Sequence, residues 1–291
     1  MDRSDLGDRM KGYEGREAGR RLMPRLPICV RIDGKRFSRF TKGLHRPYDT
    51  RLSELMVATT THLVKQSNAT IGYTQSDEIS LILYQTGPRG EVMFDRRIQK
   101  LTSVLASMTT AYFNHHLADH IPEKAGQLAL FDCRVWAVPD REEATNTLLW
   151  RELDATKNSI SMAARAHYSH KQLMNRSGSE MLEMLFARGI DWNDFPAFFK
   201  RGTYVQRRRE LRRFEAEELA RLPPQHQAHS DPELMVERWI IQRLELPPLR
   251  RLSNRVAVVF DGAEPEAAEP GAAEPGAAEP GAAEPGAAEP G

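Results

Sequence analysis

Cysteine is almost absent from this sequence: two residues in 291, too few for a disulfide framework. Cys29 and Cys133 each lie in a short apolar run, which favours buried thiols in a reducing compartment. No stretch is apolar and long enough to cross a bilayer, and the charged N-terminus lacks the apolar segment of a signal peptide. The sequence therefore predicts a cytoplasmic protein with no membrane partner.

An excess of charge is also lacking, because 41 Lys and Arg residues face 40 Asp and Glu residues, for a net charge of +1. Seven of the acidic residues, however, belong to a Gly-Ala-Ala-Glu-Pro repeat over residues 263–291, so the preceding body carries +8. A basic body favours polyanionic partners such as nucleic acid or nucleotides. The repeat has regular prolines and no large apolar side chains, and we expect a disordered low-complexity tail.

Histidine pairs at metal-ligand spacing are missing as well. His115 and His116 are adjacent and would point to different faces of a helix, which argues against joint ligation. No arrangement of serine or cysteine with histidine supports a nucleophilic triad. The chemistry must therefore come from other side chains, and the carboxylates are the strongest candidates.

The first 140 residues predict the element order β-α-β-β-α-β. The hydrophobic pattern indicates strands at 26–32, 69–73, 78–84 and 131–138, and helices at 51–66 and about 95–117. This order is typical of a ferredoxin-like unit, and right-handed crossovers make its first two strands parallel, with the second hairpin strand between them. We expect an α+β fold with a ferredoxin-like or polymerase-palm-like antiparallel sheet and packed helices.

Three regions follow from this pattern. We expect residues 1–140 to form a palm-like core, residues 141–262 a helical and basic half packed on the core, and residues 263–291 the tail. In the second half, helical spacing appears at 148–165 and 170–187, the arginine-rich segment 207–213 suggests a basic helix, and 246–260 ends in a strand.

Asp33 follows the first predicted strand, while Asp77 and Glu78 occupy the hairpin turn, so the topology brings three carboxylates to one sheet edge. Such groups repel one another unless protons or cations intervene. A site with few protein oxygens suits Mg²⁺, and two ions would stabilise the attacking and leaving oxygens of a phosphoryl transfer. After Asp33, Gly34 permits close approach of the backbone and Lys35 adds positive charge.

Six segments resemble the tRNA-histidine guanylyltransferase superfamily. They are RIDGKRF (31–37), RPYDTR (46–51), GYTQSDEIS (72–80), FDRRIQK (94–100), FDCRV (131–135) and KRGT (200–203). The resemblance implies an RNA-dependent nucleotidyltransferase that extends the 5′ end of tRNA in the 3′-to-5′ direction. ATP or GTP would activate the 5′-phosphate, and the 3′-hydroxyl of an incoming GTP or other nucleotide would then attack it.

The resemblance also implies roles for individual residues. Two Mg²⁺ ions would be held by Asp33, the Gly34 carbonyl and Asp77, and Glu78 is an acidic neighbour needed for catalysis. The nucleotide would be bound by Asp33, Gly34, Lys35, Arg36, Phe37, Ser38, Ser76 and Asp77. Further triphosphate or RNA contacts would come from Asp49, Arg96, Arg97, Lys100, Asn158, Lys200 and Arg201. The partners implied are tRNA, GTP and ATP, with assembly as a homotetramer.

One departure concerns the choice of tRNA. The eukaryotic guanylyltransferases carry a His-Ile-Asn-Asn motif, whereas this chain has Thr156 in place of the histidine and keeps Asn158. The chain thus looks closer to the guanylyltransferase-like proteins, which resemble template-directed repair polymerases for tRNA 5′ ends. Guanylylation of tRNA-His and repair of several tRNAs both stay open.

Other interpretations stay open beside this one. A palm-like core with clustered carboxylates is also compatible with a nucleotidyl cyclase, although the tRNA-type motifs after residue 86 argue against it. An RRM-like binding module expects exposed aromatics on its central strands, which EISLILY lacks. The basic residues of 96–100 and 207–213 could contact RNA or form solvated, internally paired surfaces.

Overall fold

The computed structural model describes residues 5–85 and 92–268. Most of the predicted disordered tail, residues 269–291, lies outside the described residues. Residues 263–268, the first part of the predicted tail, are described and lie against the body. The Ser253 amide donates to the Glu266 carbonyl at 3.0 Å, and Leu252 pairs with Ala267.

Six strands form one antiparallel sheet in the order β4-β1-β3-β2-β5-β6. They are β1 (Ile28–Gly34), β2 (Ile71–Gln75), β3 (Glu78–Leu83), β4 (Phe131–Ala137), β5 (Thr203–Arg213) and β6 (Met235–Leu244). The described residues also form the helices α1 (Asp5–Ala18), α2 (Phe37–Phe40), α3 (Thr50–Ser67), α4 (Ile98–His120), α5 (Arg141–His167), α6 (His170–Leu173), α7 (Gly178–Phe186), α8 (Ala197–Arg201), α9 (Ala216–Ala220) and α10 (Arg255–Asp261).

The predicted ferredoxin-like order is confirmed. β1 and β2 are both antiparallel to β3, which lies between them, so the first two strands are parallel to each other. β4 pairs with the other side of β1. β5 and β6 extend the same sheet beyond β2, and α5 begins at the predicted boundary near residue 140. The division of the chain into three regions stays a prediction.

Alternation along the strands divides the core between the two faces of the sheet. On β1, Ile28, Val30 and Ile32 are fully buried against α3 and α4, while Cys29 is buried on the face covered by α5 and α10. A strand whose successive side chains point to opposite faces can fill both layers only if both sets are apolar. This requirement explains the continuous apolar run that the sequence shows here.

The basic helix predicted for 207–213 is wrong, because the segment belongs to strand β5. Arginine favours helices as an isolated residue, but here ten residues of β5 pair with β6 in a continuous ladder. Only residues 203–206 also pair with β2, so the remainder forms a two-stranded ribbon beyond the sheet. The prediction failed because the partner strand lies over 20 residues farther along the chain.

Two further predictions in the second half are corrected. The strand expected near residue 260 is the helix α10, whose Val258 and Val259 carbonyls accept hydrogen bonds from the buried Gln206 side chain. The helix expected over 170–187 is two helices, because Asn175 has a positive φ of 61° and Ser177 caps α7. Capping by Ser177 and Glu180 satisfies amides that a continuous helix would bond internally.

Candidate active site

Asp33 and Asp77 meet at one edge of the sheet. Asp33 lies near the end of β1. Asp77 and Ser76 form the two-residue turn that joins β2 to β3. A Cβ atom added at Gly34 would lie 2.8 Å from Asp77 Oδ2 and 2.4 Å from Phe37 Cδ2. The missing side chain of Gly34 therefore permits the turn to press against the end of β1.

The Asp77 carboxyl is protonated more easily than a free aspartate. Burial, and after it the negative charge of Asp33, raise its pKa from 3.8 to about 6. Within the described residues, no ion pair of Asp77 balances this charge. The two carboxylates therefore form a site that favours a cation between or beside them.

Glu78, the first residue of β3, is surrounded by arginines. Arg151 donates from Nε and Nη2 to the two carboxylate oxygens of Glu78 at 2.6 and 2.7 Å. Arg31 Nε lies 3.2 Å from Glu78 Oε2, and the Glu78 side chain is only 11% exposed. Of the three predicted carboxylates, Asp33 and Asp77 converge, while Glu78 is already neutralised by arginines.

Alternating charges connect the sheet edge to α5. Arg31 Nη2 lies 3.7 Å from Asp33 Oδ2, and Arg151 Nη2 donates to Asp154 Oδ2 at 2.9 Å. Arg151 is a site residue that the sequence does not predict. Its only local signal is the i, i+3 spacing to Asp154, since its main partner, Glu78, lies 73 residues earlier.

The loop after β1 has both buried and exposed side chains. Phe37 is buried, with its ring 5.7 Å from Phe131 and 5.8 Å from Phe113, and it anchors the loop in the core. Lys35, Arg36 and Ser38 are exposed beside it. The side chains that could contact phosphate are thus the exposed ones. Phe37 holds the loop, and its predicted nucleotide contact stays a prediction.

Asp49 caps the N-terminus of α3. Its Oδ1 accepts from the Arg51 amide at 3.0 Å, and its Oδ2 accepts from Arg51 Nη2 at 2.8 Å. The Arg51 hydrogen bond is the main cause that lowers the pKa of Asp49 to about 2. The carboxylate is thereby committed to the helix cap, and its predicted contact to triphosphate or RNA stays a prediction.

Arg96, Arg97 and Lys100 are not brought to the carboxylate edge. They lie at the start of α4, whose other end leads to β4, where Phe131 pairs with Gly34. The predicted helix start at residue 95 shifts to 98, because residues 94–96 all have positive φ values between 50° and 58°. In this chain alone, these residues are remote from Asp33.

The remaining predicted residues lie near the end of α5. Asn158 donates to Asp154 Oδ2 at 3.4 Å, and Asp154 also accepts from Arg151. Lys200 donates to the Asn193 carbonyl, and burial lowers its pKa. Arg201 lines a cavity of about 450 Å³ together with Glu152 and Tyr204. Asn158 is therefore connected to the site through Asp154, while the predicted triphosphate or RNA contacts of Lys200 and Arg201 stay predictions.

The exposed ribbon of β5 and β6 carries the arginines of 207–213. Arg207 and Arg209 both face the ring of Trp239, at 4.0 and 4.8 Å from its centroid, and that indole is 51% exposed. Partial pairing also occurs, as Arg212 donates to Glu218 at 2.8 Å. The pairing alternative is thus realised for part of the cluster, on a strand rather than on a helix.

The described residues contain neither a membrane-spanning helix nor a ready-made cluster of metal ligands. No helix in residues 5–85 or 92–268 is long and apolar enough to span a membrane. The same residues contain no ready cluster of three or more histidine, cysteine, aspartate or glutamate side chains able to hold a metal. Asp33 and Asp77 would need backbone oxygens, waters or substrate phosphates to complete a coordination shell.

Comparison with known proteins gives consistent results. Residues 7–139 match the family model described as "Thg1: tRNAHis guanylyltransferase". The tRNA(His) guanylyltransferase of Saccharomyces cerevisiae is 31% identical over 208 residues, which cover 65% of this chain and 86% of that protein. A bacterial tRNA(His) guanylyltransferase (Thg1)-like protein solved with ATP is 40% identical at a TM-score of 0.66, covering 70% of this chain and 87% of its own. A structure of such a bacterial protein with GTP is 33% identical at a TM-score of 0.65, with coverages of 84% and 94%.

Proposed function

Because this chain belongs to the tRNA(His) guanylyltransferase family, we propose that it adds nucleotides to the 5′ end of tRNA in the 3′-to-5′ direction. The family consists of nucleotidyltransferases, and this chain is one of them. The observation that supports the proposed site best is the approach of Asp77 to Gly34 beside Asp33. Two carboxylates at a sheet edge, with exposed Lys35 and Arg36 beside them, suit a nucleotide triphosphate.

The proposed reaction has two transfers. First, an oxygen of the tRNA 5′-phosphate attacks the α-phosphorus of ATP or GTP, and pyrophosphate leaves. The 3′-hydroxyl of the incoming nucleotide then attacks the activated 5′-phosphate, a nucleoside monophosphate leaves, and a phosphodiester forms. Lys35 and Arg36 orient the phosphates, and no protein nucleophile takes part.

The donor set fits a divalent metal such as Mg²⁺. Asp33, Asp77 and the Gly34 carbonyl offer hard oxygens, and burial together with the charge of Asp33 raises the pKa of Asp77. When bound there, Mg²⁺ would neutralise charge on the phosphate oxygens, and two ions would serve both the attacking and the leaving oxygen. Glu78 supports the edge through Arg31 and Arg151.

RNA would contact the ribbon of β5 and β6. Arg207, Arg209 and Arg213 lie on one face of β5 by strand alternation, opposite Ile241, Trp239 and Met235 of β6. Cations and an exposed aromatic on one face are suited to phosphate and base contacts. This placement supports the idea that the second half of the chain holds tRNA.

Thr156 favours repair of several tRNAs over dedicated guanylylation of tRNA-His. It lies on α5, one turn beyond Glu152, whose carbonyl accepts from the Thr156 hydroxyl at 2.9 Å. Assembly as a homotetramer, implied by the family resemblance, and a cytoplasmic location, expected from the sequence, are both proposals. Light scattering of the purified protein tests the assembly.

The decisive experiment supplies 5′-truncated tRNAs bearing a 5′-monophosphate with ATP, GTP and Mg²⁺, and follows RNA length on a denaturing gel. Both Asp33→Asn and Asp77→Asn should slow elongation about 100-fold or more, the scale of a lost contact to transition-state charge. Asp119→Asn removes a 75% exposed carboxylate and serves as the control. A wild-type protein that lengthens none of several truncated tRNAs, or a cyclic nucleotide product, would overturn the proposal.

A further inference from the structure

Trp150 lies beside the proposed active site with its side chain open to solvent. The residue is 52% exposed, although its neighbours Leu148, Arg151 and Glu152 are buried against the sheet. Its ring faces the guanidinium of Arg151 at 4.6 Å and that of Arg31 at 6.0 Å. Because Arg31 also approaches Asp33, only two contacts separate the indole from the carboxylate edge.

The sheet surface in front of this indole is uncovered. Asp132 and Arg134 on β4 are the cross-strand neighbours of Asp33 and Arg31, and their side chains are 55% and 58% exposed. Alternation places all four on the face of the sheet that α5 occupies. The helix therefore covers the centre of this face but leaves an open area over β1 and β4, with Trp150 at its border.

We propose that Trp150 is a stacking platform for a nucleobase bound on this open area. The base comes from the end of the RNA or from the incoming nucleotide, and the inference rests on the proposed function for that choice. An indole offers a large rigid apolar face, and the guanidinium groups of Arg31 and Arg151, which are both paired with Glu78, lie close to its ring. Leu153, one turn further along α5 and 38% exposed, extends the apolar surface.

Stacking has a consequence for specificity. Every base has a π-face, so a platform of this kind holds an end without reading its sequence. Arg134, exposed on the same area, pairs with the exposed Asp132 at 3.5 Å and could exchange this partner for a phosphate. The arrangement suits an enzyme that extends several different RNA ends.

The test compares Trp150→Ala, Trp150→Phe and the control Phe186→Ala, which removes a 71% exposed aromatic on α7. Equilibrium binding to a 5′-truncated tRNA is measured at fixed salt, alongside the KM for GTP and the urea unfolding curve. The alanine variant should either weaken RNA binding or raise the KM for GTP by about 5- to 100-fold, as expected for loss of one stacked base. Trp150→Phe should stay within about 3-fold, because it keeps an aromatic face.

A second arm uses tRNAs that lack one base, either at the 5′ end or at the nucleotide opposite it. Removal of the stacked base should weaken binding to the wild type but not further weaken binding to Trp150→Ala. If Trp150 acted only by holding Arg31 and Arg151, the penalty for the missing base would persist in the variant, and the proposal would be wrong.

The outcomes separate the two sources of the base. A raised KM for GTP with unchanged RNA binding assigns the platform to the incoming nucleotide, and the reverse assigns it to the RNA. No change in either quantity overturns the platform. A wild type that binds RNA through Trp150 but never lengthens it would contradict the proposed function and leave the platform intact.

Discussion

Replacement of Arg151 by methionine should destabilise the protein more than any exposed charge deletion. Arg151 makes two hydrogen bonds to the nearly buried Glu78 and one to Asp154. Removing one partner of a buried ion pair costs about 3–5 kcal/mol, since the other charge stays desolvated. Glu78 retains Arg31 at 3.2 Å, which places the expected loss near the lower limit, at about 3 kcal/mol.

The assay is urea unfolding followed by circular dichroism, with Glu78→Gln and the double variant completing a cycle. The losses of unfolding free energy in the two single variants should add up to about 1–3 kcal/mol more than the loss in the double variant, because both substitutions remove the same interaction. Arg134→Met, whose partner Asp132 is 3.5 Å away and exposed, should change stability by less than about 0.5 kcal/mol. If Arg151→Met lowered the free energy of unfolding by less than about 1 kcal/mol, or if the two single losses were simply additive, Arg151 and Glu78 would not be a stabilising buried ion pair.

Two other predictions concern pH and salt. Asp49 has a folded pKa of about 2 against 3.8 unfolded, so it contributes stability that is present above pH 4 and is lost as the pH falls towards 2. Asp49→Asn should therefore flatten the stability profile between pH 4 and 2, and an unchanged profile by circular dichroism would exclude this role. If Arg213 contacts an RNA phosphate, Arg213→Gln should reduce the slope of log affinity against log salt by about 1, whereas Arg176→Gln on another surface should not. Equal slopes for Arg213→Gln and the wild type would remove that residue from the RNA contact.

The first half of the fold was predictable because its signals are local. Alternating apolar residues, a capped amphipathic helix and a short polar turn follow one another within 140 residues, and the handedness of crossovers then sets the strand order. Asp33 and Asp77 could be brought together by that rule alone. Their actual closeness depends on Gly34, which the sequence singled out for its permissive backbone.

The second half was less predictable because its structure depends on distant partners. The arginines of β5 have good helix propensity, and only the pairing with β6 turns them into a strand. The apolar residues of α10 resemble a strand by composition, but they form a helix that packs on the same face of the sheet as α5. The ion pair between Arg151 and Glu78 joins residues 73 positions apart, and no periodic sequence pattern predicts such a pair.

Gly34 leaves the active edge no freedom to accept substitutions. Even a methyl group there would overlap both the hairpin carboxylate and an aromatic ring that anchors the neighbouring loop. The Phe37 ring belongs to a packed ring cluster and cannot shift cheaply, and rotation of the Asp77 carboxylate would displace its oxygens from the proposed metal site. A random mutant library selected for activity should thus return glycine at this position in every survivor, which makes it a sensitive internal marker for whether the site is under selection.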